Sequence, residues 1–188
     1  LDWRYGSRDR GLRRERIAFR CGNVWHHGDR QGSVSAVSVG PYGLRGDVQA
    51  DRKHHGGFDK ALYFYGDDDA QYWAAQLGRV LHPGWFGENL RVTGIDVNAA
   101  RAGERWRIGS GEDAVEVELT TPRNPCQTFA RWVGGDDERG WVKRFADARR
   151  FGAYARVTKS GTVSAGDAVT VLFSDAAAPT IAELWGRA

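Results

Sequence analysis

The chain has 188 residues, 41% of them hydrophobic and 27% charged, the size and composition of one globular domain. Disorder and collagen are excluded on those counts, and no apolar run reaches the roughly eighteen residues of a membrane helix. Two cysteines, Cys21 and Cys126, are too few for a disulfide-rich scaffold or a four-cysteine metal site, and they fit a reducing, cytoplasmic setting.

The formal charge of +3 is unevenly spread. Residues 1–31 carry eight Arg and four acids, a balance of +4, so residues 32–188 sum to −1. A basic arm can meet nucleic acid or a membrane surface, but this one has little apolar periodicity and lacks the apolar stretch of a secretory signal. It reads as a solvated leader. Leu1 stands first and the chain contains no Met, so the native start is placed near Gly32.

From there the pattern predicts strands over Ser33–Val39 and Ala61–Tyr65. A helix follows over Asp67–Leu77, where Ala70, Trp73, Ala74 and Leu77 form a stripe and Gly78 closes it. Strands are predicted at Leu90–Thr93, Glu104–Ile108 and Val115–Thr120; in the last, Val115, Val117 and Leu119 alternate with Glu116 and Glu118, so one face is wet. Short helices are placed after Pro125 and over Gly140–Arg150, then strands over Ala153–Thr158 and Ala168–Phe173, with Gly166-Asp167 as the turn between them. Residues 176–188 form a small helix or tail. The sum is a mainly β domain over 32–175, an antiparallel barrel or sandwich with a few peripheral helices. The Asp67–Leu77 helix is expected to pack outside it through Trp73 and Leu77. No dinucleotide or phosphate-loop spacing occurs.

Three clusters are unusual. Gly46–Lys60 packs acids, bases, His54, His55 and paired Gly into one loop; taken alone it reads as a solvated loop in which His55 caps a turn. Gly84-Trp85-Phe86-Gly87-Glu88-Asn89-Leu90 brackets aromatics with Gly, and Asn89 offers a donor and an acceptor or else a left-handed turn residue. Thr120-Thr121-Pro122-Arg123-Asn124-Pro125-Cys126-Gln127 puts Cys126 at a helix start beside Arg123, where the helix dipole and a cation favour thiolate. A structural cysteine is the alternative.

In this order and spacing the stretches Gly46-Asp47-Val48-Gln49-Ala50-Asp51, His55-Gly56-Gly57-Phe58-Asp59-Lys60-Ala61, Phe86-Gly87-Glu88-Asn89-Leu90 and Pro122-Arg123-Asn124-Pro125-Cys126 resemble the MOSC domain, above all its stand-alone, YiiM-like members. The resemblance spans about Gly32–Phe173. It implies a MOSC-type β-barrel that binds molybdenum cofactor, a molybdopterin. In that family the cysteine at the place of Cys126 is the catalytic group and metal ligand; Arg123, Asn89, His55, Lys60 and Gln49 would hold the pterin. The implied activity is reduction of N-hydroxylated compounds, such as hydroxylamino bases, to amines. The electrons would come from a separate reductase. No pyridoxal phosphate is expected, since 188 residues leave no room for a desulfurase domain, and neither nucleic acid nor membrane is an expected partner of the core.

Other readings follow from the same residues. The protein could carry cofactor or sulfur without turnover. A Cys–His hydrolase would use Cys126 with His54 or His55, but no oxyanion hole is legible. A zinc site from His54, His55 and Cys126 asks two adjacent His side chains to converge on one ion.

Overall fold

The computed structural model describes residues 15–19, 36–47, 56–134 and 140–185. Seven strands make a barrel in the order β1 (Glu15–Phe19), β10 (Ala168–Phe173), β6 (Arg105–Ile108), β7 (Val115–Pro122), β8 (Ala153–Lys159), β4 (Leu62–Gly66) and β5 (Leu90–Thr93). Six of them, from β10 round to β5, form a curled sheet; β1 closes it by pairing with β5 through Arg16–Phe19 and with β10 through Glu15 and Arg16. A small sheet of β3 (Gly43–Leu44), β2 (Ala36–Gly40) and β9 (Gly161–Ser164) packs alongside.

The expected β-barrel is therefore present, with one correction. Five residues of the supposed leader are a barrel strand, so a boundary at Gly32 does not divide leader from domain. Ser33–Ser35 of the first predicted strand lie outside the described residues.

Every barrel pairing is antiparallel except β4 with β5. A tight hairpin cannot join parallel neighbours; they need a crossover, and α1 (Asp67–Leu77) is part of it. Three aspartates occupy its first turn, favourable at the positive end of the helix dipole, and Gly78 ends it at φ 63° with its N–H on the Ala74 carbonyl. Register shifts in the β7–β8 and β6–β10 ladders supply local bends. The alternation read in β7 holds: Val115, Val117 and Leu119 are buried, while Glu116 faces Arg107 at 2.8 Å.

The barrel core is aliphatic, with Leu62, Leu90, Val92, Ile108, Val117, Leu119 and Val157 around Phe64 and Trp106. The predicted tail docks as α4 (Ile181–Leu184). A Thr180–Glu183 capping box starts it, and Ile181 is fully buried in that core. No helix of the described residues is long and apolar enough to cross a membrane.

Candidate functional site

All five residues of β4 are buried, because the strand serves two cores. Leu62 and Phe64 point into the barrel, whereas Tyr63 and Tyr65 enter a second, aromatic cluster outside it. Three helices roof that cluster: α1 through Trp73, α2 (Gln127–Gly134) through Phe129, and α3 (Trp141–Ala148) through Trp141 and Phe145. Trp73 stacks on Phe145 with ring centroids 5.4 Å apart, and Tyr65 on Phe86 at 4.1 Å. Trp73 and Leu77 are thus the packing residues of α1 as expected, against this annex. Gly152 joins the two cores: at φ 66° it leaves no room for a side chain, since a Cβ would come 2.3 Å from the Phe64 carbonyl oxygen.

Strand β7 ends at Pro122, and the chain turns through Arg123, Asn124 and Pro125 into α2. The Cys126 carbonyl accepts from the Ala130 N–H at 3.0 Å, so Cys126 stands at the helix N-terminus. Its thiol is free and half-buried. Arg123 is half-buried beside it. Its Nη1 donates to the Phe86 carbonyl, and its guanidinium carbon lies 4.9 Å from the Tyr63 ring centroid and 5.8 Å from that of Phe129. Among the described residues it has no carboxylate partner.

Burial acts to lower the pKa of Arg123, but Tyr63, Tyr154 and Cys126 in their ionised forms outweigh it and leave the value raised. Burial also pushes the Tyr63 phenol well above its ordinary range, against the pull of Arg123. That phenol keeps its proton and donates it to the Phe151 carbonyl at 2.7 Å. A cation is therefore held on aromatic faces, without a fixed counter-charge among the described residues.

Lys60 joins the same group, 5.6 Å from the Tyr154 ring, which is 5.2 Å from that of Tyr63. Asn89 is there too, engaged with the protein itself. Its Oδ1 accepts from the Tyr63 N–H at 2.8 Å, its N–H donates to the Tyr63 carbonyl at 2.9 Å, and its Nδ2 donates to Asp47 at 2.8 Å. It latches β4 to the segment after β3, and it is not the left-handed turn residue considered from the sequence, since Arg149 is the one non-glycine at positive φ among the described residues. Gln49, His54 and His55 lie outside the described residues. So Arg123, Lys60, Asn89 and Cys126 are grouped around Tyr63, Tyr154 and Phe129.

Tyr63 and Tyr154 were not legible as site residues, and Phe86 stood in the unusual 84–90 stretch without an assigned role. The alternation Tyr63-Phe64-Tyr65 is the one local hint, since hydroxyls on a strand buried on both faces require partners.

A family profile described as MOSC domain matches residues 51–170. The chain is 34% identical over 132 residues to an uncharacterized protein YflK of Bacillus subtilis, covering 70% of this chain and 57% of that one. It is 29% identical over 136 residues to a protein of Gibberella moniliformis called reductase, covering 69% and 22% respectively. The chain thus spans less than two thirds of the length of either relative. The crystal structure of YiiM from Geobacillus stearothermophilus superposes with a TM-score of 0.64 at 25% identity, over 79% of this chain and 66% of that one.

Proposed function

The chain belongs to the MOSC domain family, and from that premise we propose that it binds molybdenum cofactor at the Arg123–Cys126 turn and reduces N-hydroxylated small molecules to amines. The observation that carries this reading is Arg123 itself. A guanidinium lying on the Tyr63 and Phe129 rings, without a carboxylate partner among the described residues, is arranged to receive an anion. A pterin phosphate has that charge. The Gibberella relative called reductase supports the reaction class.

The residues fit the group. Among the described residues no three His, Cys, Asp or Glu side chains gather into a metal site. A metal here would bring most of its own ligands, as dithiolene-bound molybdenum does, and Cys126 would add one soft donor. When bound, the cofactor supplies the two-electron chemistry.

The chain's own residues have simpler tasks. Arg123 and Lys60 balance the charge of the phosphate, with Gln49 and His55 as further holders. Cys126 presents its sulfur from the start of α2. Tyr63 stays protonated, so no second anion competes for Arg123. Asn89 keeps β4 and Asp47 in register beneath them. Overall, the N-hydroxyl compound takes up two electrons and two protons, its N–O bond breaks, and amine and water leave. The electrons come from a separate reductase, and the setting is cytoplasmic.

The test is pterin and molybdenum content after expression in a cofactor-sufficient host, followed by reduction of a hydroxylamino base with an artificial donor. Cys126→Ser should fold with stability within about 0.5 kcal/mol of the parent yet lose reduction, while Cys21→Ser keeps it. A parent without pterin defeats the reading; pterin without turnover makes the protein a carrier.

A further inference from the structure

The carbonyl that receives Arg123 belongs to a loop held from within by a buried ion pair. Glu88 Oε1 accepts from the Gly84 N–H at 2.7 Å, from Arg91 Nε at 2.9 Å and from Arg91 Nη2 at 2.5 Å; Oε2 accepts from the Phe86 N–H at 2.9 Å. Arg91 is buried as well, and its Nη1 and Nη2 donate to the Leu81 and His82 carbonyls at 2.8 and 3.1 Å. The loop therefore wraps its amides inward around Glu88, while the Phe86 carbonyl meets Arg123. The Phe86 ring is fixed too, stacked on Tyr65. Gly87, at φ 76°, lets the guanidinium approach: a Cβ there would stand 3.1 Å from Arg123 Nη1.

A buried ion pair is a poor device for stability, because desolvation offsets most of its attraction. What this one does achieve is a fixed direction for one carbonyl. We infer that Glu88 is a positioning residue: through the Gly84 and Phe86 amides and Arg91 it holds the Phe86 carbonyl that seats Arg123, and so aims the guanidinium at the bound anion. The inference rests on the proposed function for the identity of that anion, the cofactor phosphate, and not for the seat.

Two measurements test it. The first is the NMR resonance of the Arg123 side-chain Nε–Hε group, assigned by its loss in Arg123→Ala and displaced by ring currents from Tyr63 and Phe129. The second is pterin retained per chain after expression in a cofactor-sufficient host. Glu88→Gln keeps the volume and one carbonyl acceptor but removes the charge. It should move the resonance toward its solvent-exposed position and lower pterin retention about tenfold, the scale of one hydrogen bond to a charged group. In an Arg123→Ala background the same change should lower retention no further, because residues acting through one another are not additive. Should Glu88→Gln fail to fold, Gly87→Ala leaves the ion pair intact, displaces Nη1 directly, and should move the resonance in the same way. An unmoved resonance in the folded variants, or additive losses of pterin, would overturn the inference. If the parent holds no pterin, the proposed function falls, and the resonance alone decides the seat.

Discussion

Strand β4 separates two cores of different chemistry. Among the buried residues described, two of twenty-one in the barrel core are aromatic, against nine of thirteen in the annex. The aliphatic side is mainly filled; its one polar tip in the cluster, Trp106 Nε1, donates to the buried Glu104 at 2.6 Å. The aromatic side presents ring faces to cations and hydroxyls to carbonyls, as Arg123 on Tyr63 and Tyr63 on Phe151 show. The barrel is one packing unit and the annex carries the candidate site, so damage to one should be separable from damage to the other.

The largest effect should come from the barrel's closing strand. Removing residues 1–31 takes β1 away and leaves the edges of β5 and β10 without it. The melting temperature should fall by about 10 °C or more, equivalent to several kcal/mol for this size, while the near-UV circular dichroism of the folded annex stays in place. A shift below about 2 °C would show that β1 adds nothing to the barrel.

Gly152→Ala strikes both cores at once. Its Cβ would collide with the Phe64 carbonyl and approach the Tyr65 and Tyr63 rings, in a backbone region that disfavours side chains. Chemical denaturation should register a loss of about 4 kcal/mol, accompanied by a changed near-UV spectrum. A loss within the noise would mean that the two cores are not joined there.

The smallest effect is a pH dependence confined to the annex. Burial raises the pKa of Asp69, in spite of hydrogen bonds from Arg150 at 2.5 Å and Asn98 at 2.6 Å. The folded state therefore holds this proton more tightly than the unfolded state. Between the ordinary carboxylate value and the raised one, stability from this group falls as pH rises and returns as pH falls. Urea unfolding of the parent and of Asp69→Asn across that window should show the parent gaining, relative to the variant, toward the acid side. The opposite slope would mean that the Arg150 and Asn98 bonds outweigh burial.

Local patterns were legible where physics is local. The stripe of α1 and its terminal Gly78 place that helix at Asp67–Leu77, and the apolar runs place β5 and β10 at Leu90–Thr93 and Ala168–Phe173. Strand β1 was not legible. Its Glu15-Arg16-Ile17-Ala18-Phe19 is short and lies among arginines, and what makes it a strand is the pair of edges on β5 and β10. Strands β3 and β9 were missed for a similar reason, having two and four residues and pairing, among the described residues, through β2. Asn89 shows the limit at the site. Its sequence setting left open a turn or a ligand donor, and closure of the fold spent its amide on Tyr63 and Asp47.

What the sequence determined by itself is the set of segments and their punctuation: the alternation of β7, the helix start after Pro125, and a cysteine and an arginine within one turn. Only the tertiary structure decided what Arg123 would meet. Its carbonyl partner lies 37 positions away, and the rings of Tyr63 and Phe129 come from a strand and a helix on opposite sides of it in the chain. Hydrogen bonds and ring contacts between distant segments form when the sheet curls and the helices dock, and no propensity of the residues around Arg123 carries that information.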